Sequence, residues 1–132
     1  MQKTYVMIKP DAVARGLVGR ILGRIEAVGL KIDRMELGVV TPKQATANYA
    51  EHVGKPFYDG LVSYITSGPV VKLQISGEAA VPVMRKLMGA TNPADAAPGT
   101  IRGDFGLSLD ANIIHGSDSP ESAERELSIF FG

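Results

Sequence analysis

Three stretches of this chain alternate in polarity at every second residue, a fourth is short and apolar, and helical stripes lie between them; within 132 residues that order admits few folds. From Lys3 to Lys9, Thr4, Val6 and Ile8 fall on one face and Tyr5, Met7 and Lys9 on the other, the period of a strand, and Pro10 ends it. Val18, Ile21, Leu22, Ile25 and Val28 then recur at helical spacing, with Arg20 and Arg24 opposite and Gly29 as the stop. Met35, Leu37 and Val39 alternate as a second strand, and Ile32, out of register with them, marks a bulge or a shifted start. Thr41-Pro42-Lys43-Gln44 reads as a capping box with proline at the first helical position, so a helix is expected from about Pro42 through Tyr49, with His52 near its end.

Leu61, Tyr64 and Ile65 suggest another short helix, closed by Ser67-Gly68-Pro69, and Val71, Leu73 and Ile75 make a third strand. Ala80, Val81, Met84, Leu87 and Met88 stripe the next helix, with Arg85 on its flank. Gly89 to Ala111 shows little periodicity, and a connection of that length in a small domain points to function. Asn112 to His115 suits a buried fourth strand, and a turn leads to a last helix whose apolar face is Ala123, Leu127, Phe130 and Phe131, with Glu126 on the flank. The two strand-helix-strand units predict an α/β (α+β) chain of the ferredoxin-like type. That is a split βαβ sandwich with a four-stranded antiparallel sheet and surrounding helices, which this reading lays over one face. No linker or charge block divides residues 1–132, so one domain is expected.

Charge removes several functions. Fourteen Lys and Arg balance fourteen Asp and Glu, so no basic field exists for nucleic acid as the main ligand. Cysteine is absent and there are two histidines, a poor supply for a structural zinc site. No apolar run reaches membrane-spanning length and no apolar leader precedes the first strand, so a cytoplasmic location away from membranes is expected.

His115 stands where a buried strand meets a glycine turn. Neutral imidazole is nucleophilic near physiological pH, and a carboxylate that accepts one ring N–H frees the other nitrogen to attack. Glu126 lies one helix away to supply it, and Ser117 is placed to orient that carboxylate. Phosphoryl transfer needs cations and donors around the moving group; Lys9, Arg85, Thr91 and Arg102 offer these from four separate segments. No Gly-x-x-x-x-Gly-Lys-Ser/Thr or dinucleotide glycine pattern occurs, so a glycine loop does not carry nucleotide binding here.

Asn112-Ile113-Ile114-His115-Gly116-Ser117-Asp118 resembles the active-site signature of the nucleoside diphosphate kinase family. Ile8-Lys9-Pro10-Asp11, Arg15-Gly16-Leu17-Val18-Gly19, Ser67-Gly68-Pro69-Val70, Thr91-Asn92-Pro93-Ala94-Asp95, Gly99-Thr100-Ile101-Arg102-Gly103-Asp104 and the segment Glu121 to Glu126 follow the family's order over nearly the whole chain. Two positions depart from its common pattern: Ala12 replaces a frequent glycine, and Leu109 a smaller valine beside the base.

The resemblance implies a ping-pong reaction in which ATP phosphorylates His115 and the group then passes to a nucleoside diphosphate. By motif position, Lys9 and Asn112 contact the sugar, Lys9 and Tyr49 assist transfer, Phe57 stacks on the base, and Arg85, Thr91 and Arg102 hold phosphates. Glu126 and Ser117 orient the histidine. Mg²⁺ is implied, carried mainly by the nucleotide phosphates, with Asp118 touching it through water. The family also implies a homo-oligomer, and a hexamer is favoured over a tetramer, with the Gly89–Ala111 segment gathered about a threefold axis. The competing readings are a non-catalytic ferredoxin-like nucleotide-binding module and a protein phosphohistidine carrier.

Overall fold

Thr4 to Ile8 are all buried although they alternate between two faces, so the first strand, β1 (Gln2–Ile8), is covered on both sides. The computed structural model describes every residue from Met1 to Gly132. In it β1 lies inside a four-stranded sheet of order β2-β3-β1-β4, with β2 spanning Lys31–Val39, β3 Pro69–Gly77 and β4 Ile114–Gly116. Every pairing is antiparallel. Helices α1 (Pro10–Ala14) and α2 (Val18–Ala27) join β1 to β2, and α3 (Pro42–Asn48) and α4 (Tyr58–Ile65) join β2 to β3. Helices α5 (Ala80–Met88) and α6 (Ile101–Phe105) precede β4, and α7 (Pro120–Phe131) closes the chain. This is the ferredoxin-like split βαβ arrangement.

Helices cover both faces of the sheet, not the one face expected. Val6, Ile8, Leu73 and Ile75 pack with Ile21 and Ile25 of α2 and Met84 and Met88 of α5. Tyr5, Met7 and Val70 pack with Ala45 of α3, Ile65 of α4 and Phe130 of α7. The reason lies in β1: both of its alternating sets are apolar, and a bare second face would leave Tyr5 and Met7 in water.

Local signals explain the other elements. Thr41 and Gln44 form the reciprocal capping box that starts α3, and the β2–β3 register shifts between Ile32 and Arg34, where Ile32 fell out of step. Pro10 ends β1 but also opens α1 as its first residue, and five residues are too few to show helical periodicity. The aperiodic segment before β4 contains structure as well. A 3₁₀ turn (Pro93–Asp95) is capped by Asn92 Oδ1, which accepts from Ala94 N–H at 3.1 Å, and α6 by Thr100 Oγ1, which accepts from Gly103 N–H at 3.0 Å. The last strand begins at Ile114, two residues later than the apolar run suggests.

Tyr5 stacks flat on Phe130, ring centroids 4.6 Å apart, and its buried hydroxyl has no hydrogen-bond partner. An unmet buried hydroxyl costs about 1–3 kcal/mol, so Tyr5→Phe is expected to raise stability by about 1 kcal/mol, read as a higher urea midpoint at unchanged slope. A lower midpoint would show that the hydroxyl is satisfied after all.

Candidate active site

Lys9 follows β1 directly as the N-cap of α1, and its backbone N–H donates to the Ile113 carbonyl at 2.8 Å. The Ile114 N–H donates back to the Asn112 carbonyl at 2.9 Å, closing a three-residue turn about Ile113, whose φ is +80°. A β-branched residue in that conformation is strained and persists only where its surroundings hold it.

The holding groups are arginines. β4 is an edge strand, and with the Ile113 carbonyl facing β1, alternation turns the Ile114 and Gly116 carbonyls outward. Arg102 Nη2 donates to Ile114 O at 2.6 Å and Arg85 Nη1 to Gly116 O at 3.3 Å. Arg102 also donates from Nε to Asn112 O at 3.3 Å and from Nη1 to Gly89 O at 3.1 Å. Side chains thus satisfy carbonyls that a neighbouring strand would otherwise take. At Gly116 a Cβ would come within 2.6 Å of Met88 Sδ, so a larger residue there would have to displace the end of the Met88 side chain.

His115 is fixed from the other side. Its Nε2–H donates to Glu126 Oε1 at 2.7 Å, and Ser117 Oγ–H donates to the same oxygen at 2.9 Å. The Glu126 side chain is 5% exposed, and Arg125 Nη2 stands 3.6 Å from its second oxygen. Ser117 Oγ in turn accepts from the Tyr5 N–H at 3.3 Å. With the proton on Nε2, the lone pair stays on Nδ1, the arrangement a nucleophilic imidazole needs.

His115 lines a cavity of about 830 Å³ together with Glu126, Lys9, Tyr49, Phe57, Arg85, Thr91, Asn112 and Asp118. Lys9 Nζ donates to Asn112 Oδ1 at 2.7 Å, and Asn112 Nδ2 to the Thr91 carbonyl at 3.1 Å. At the mouth, Phe57 and Leu109 are each about half exposed, and His52 meets the Phe57 ring edge-on at 5.2 Å. Arg102 and Ser117 lie outside the cavity lining: Ser117 is buried against Glu126, and Arg102 is 4% exposed with its guanidinium on the three carbonyls. Burial, then the charge of Arg102, pulls the Lys9 ammonium down to about 8, with Asp11 acting in the opposite sense. Burial and Arg85 likewise lower Arg102, to about 10. Crowded, poorly hydrated cations of this kind favour an anionic ligand.

No three carboxylate, imidazole or thiol groups gather anywhere to cage a metal. Asp118 is the exposed carboxylate nearest His115 in sequence on the cavity wall, and hydrogen bonding from Ser122 holds it below the usual carboxylate range. That donor set fits a hard cation that arrives already bound to phosphate oxygens.

Sequence reasoning gave no role to three residues beside the site. Arg125 adjoins Glu126, while Asp11 is two residues from Lys9 and accepts a hydrogen bond from Tyr64, which lines the cavity. Their adjacency to motif residues was the available signal.

A family model described as nucleoside diphosphate kinase matches residues 2–132. Among similar curated proteins, the nucleoside diphosphate kinase of Archaeoglobus fulgidus is 58% identical over 131 residues, covering 99% of this chain and 87% of the relative. That of Heliobacterium modesticaldum is 59% identical, covering 99% and 88%. Among solved structures, the Halobacterium salinarum nucleoside diphosphate kinase in complex with CDP superposes with a TM-score of 0.95 at 51% identity, covering 98% of this chain and 87% of that one. The apo enzyme of Encephalitozoon cuniculi gives 0.97 at 41% identity, covering 100% and 90%.

Proposed function

The chain belongs to the nucleoside diphosphate kinase family and is a nucleotide-binding kinase of that activity, and from that premise we propose that the phosphoryl group passes through Nδ1 of His115. The observation that carries the assignment is the Glu126–His115 bond at 2.7 Å, which supports a proton on Nε2 and Nδ1 as the nucleophile. The Nδ1 lone pair forms a bond to the γ-phosphorus of ATP, the bond to the bridging oxygen breaks, and ADP leaves. A terminal oxygen of a second nucleoside diphosphate then attacks the phosphohistidine, the P–N bond breaks and Nδ1 recovers its lone pair. The Nε2 proton stays between ring and carboxylate throughout, with Ser117 holding Glu126 in place.

Lys9 and Asn112, already hydrogen-bonded to each other, meet the sugar hydroxyls, and Lys9 with the Tyr49 hydroxyl also supports the moving group. Arg85 and Thr91 bind phosphate oxygens from the cavity wall. Arg102 joins them with the two N–H groups left after its three carbonyl bonds. Phe57 stacks on the base with Leu109 opposite, a mode that tolerates purines and pyrimidines because every base presents a π-face. Asp118 would hold, through water, a Mg²⁺ ion carried by the nucleotide, and that ion would neutralise phosphate charge.

A homo-oligomer is supported by β2, an edge strand that exposes Met35, Leu37 and Val39 along one face. A hexamer gathered through the segment before β4 remains the arrangement we favour. No helix is long and apolar enough to cross a membrane. We place the enzyme in the cytoplasm, which supplies its nucleotides.

Incubation with Mg²⁺ and γ-labelled ATP is expected to put acid-labile label on the protein, and GDP or dCDP to remove it as the triphosphate. Label that stays until a protein acceptor is added would identify a phosphohistidine carrier instead, and absent label with intact nucleotide binding would leave a binding module.

A further inference from the structure

Two segments must keep their spacing for this site to work. One is the β1–α1 junction that carries Lys9; the other is α4, whose N-cap is Phe57. Their side chains meet at one hydrogen bond, 53 positions apart in sequence, in which the Tyr64 hydroxyl of α4 donates to Asp11 Oδ1 of α1. Asp11 Oδ2 is buried and has no partner of its own. The Tyr64 ring lines the nucleotide cavity and also a second cleft of about 460 Å³, walled by Pro10, Asp11, Ser67 and Pro69. Tyr64 is therefore the partition between the two hollows, and Asp11 holds it.

We propose that Asp11 is a positioning residue for the kinase reaction, gripping α4 through Tyr64 so that the base platform keeps its distance from Lys9, with its carboxylate two residues along the chain from the Lys9 ammonium. The inference rests on the role given above to Lys9. An otherwise unpaired buried carboxylate oxygen is costly, and a charge two residues along the chain from the ammonium gives it a purpose. From the other elements around the cavity, Arg85 of α5 and His115 of β4 face the same space, with Tyr49 after α3 and Glu126 of α7, while Arg102 of α6 acts on Lys9 from outside the lining. Arg102 acts on Lys9 in the sense that favours loss of its proton, and Asp11 opposes it. The Tyr64 phenol is pushed well above its ordinary value by burial and then by Asp11, so it remains the donor throughout the working pH range.

Charge and grip separate experimentally. The free-enzyme pH profile of kcat/KM is expected to fall above about pH 8, where the Lys9 ammonium is lost. Asp11→Asn keeps an acceptor for Tyr64 but removes the charge, and is expected to move that falling limb to lower pH. Tyr64→Phe keeps the charge but removes the donor. It is expected to leave the limb in place and raise KM for GDP and dCDP alike, on the order of 10-fold, the worth of one hydrogen bond to a charged group. A purely structural role would lower thermal stability in both variants and move neither readout.

Coincident limbs in wild type and Asp11→Asn overturn the charge half, and an unchanged KM in Tyr64→Phe overturns the grip. Lys9→Arg, whose guanidinium does not titrate in this range, separates this inference from its premise. Its profile should lose the limb, and a limb that persists there removes Lys9, and with it the charge half, whatever Tyr64→Phe shows.

Discussion

His115→Ala is expected to lose nucleoside diphosphate kinase activity by on the order of 10⁴-fold or more and to form no acid-labile phosphoprotein, since no other group is placed to replace the nucleophile. The cavity offers no substitute: its second histidine, His52, has Nδ1 3.3 Å from Lys55 Nζ and sits edge-on to Phe57 at the mouth. Folding should survive. The His115 side chain is one-third exposed, and after its removal Glu126 still accepts from Ser117 and keeps Arg125 near its second oxygen. Loss of one donor to a buried carboxylate costs about 1–3 kcal/mol, so the variant should unfold earlier than the parent but cooperatively, and should still bind ADP. Rapid-quench labelling with ADP binding measured in parallel tests this. Label in the folded variant would move the nucleophile elsewhere, whereas loss of ADP binding would mean that the substitution had destroyed the pocket and not only the reaction. In the parent, the label should reside on Nδ1, the nitrogen that does not face Glu126, and analysis of a proteolytic digest distinguishes the two ring isomers.

Part of the information that defines this fold and site is carried along the chain, and part is created only when the chain folds. Period and punctuation were legible: β1, α2, α3, β3 and α7 follow from alternation, stripes, a capping box and proline or glycine stops, and the bulge at Ile32 showed as a break in alternation. Short elements were not. α1 and α6 have five residues each, less than two turns; α1 opens on Pro10 without a side-chain cap, α6 on the Thr100 cap, and tertiary contacts such as Arg24–Asp104 at 2.7 Å and Arg15 Nη1 to the Phe105 carbonyl at 2.7 Å hold them. The late start of β4 follows from the left-handed turn at Ile113, which no propensity would assign to isoleucine. At the site, residue types in motif spacing brought His115, Glu126, Lys9 and Asn112 to notice, but no linear pattern indicates what a guanidinium donates to. The arginine ladder on β4 and the Asp11–Tyr64 bond are products of topology, joining segments that only the closed sheet brings together.

Arg102 is where that distinction has its largest measurable consequence. As a phosphate ligand alone, it could be replaced by methionine with a loss of nucleotide affinity and little change in stability. The three bonds to Gly89, Asn112 and Ile114 carbonyls predict a different result. Methionine fills much of the volume but donates nothing, leaving three acceptors beside a strained turn without their partner; at about 1–3 kcal/mol each, with water recovering part, Arg102→Met should cost about 3 kcal/mol or more. The Ile113 turn would then relax toward an ordinary strand conformation and carry His115 away from Glu126, so phosphohistidine formation should slow even at saturating ATP. Arg102→Lys provides the control. An ammonium preserves the charge that attracts phosphate but cannot span three carbonyls set in the plane of a fork, so it should recover part of the nucleotide affinity and little of the stability. Urea midpoints at fixed protein concentration and single-turnover phosphorylation rates decide between the two roles. If the lysine variant matched the parent in both, charge alone would account for Arg102, and the conformation of the nucleophile turn would have to be held by the packing of Ile113 and Ile114 in the core.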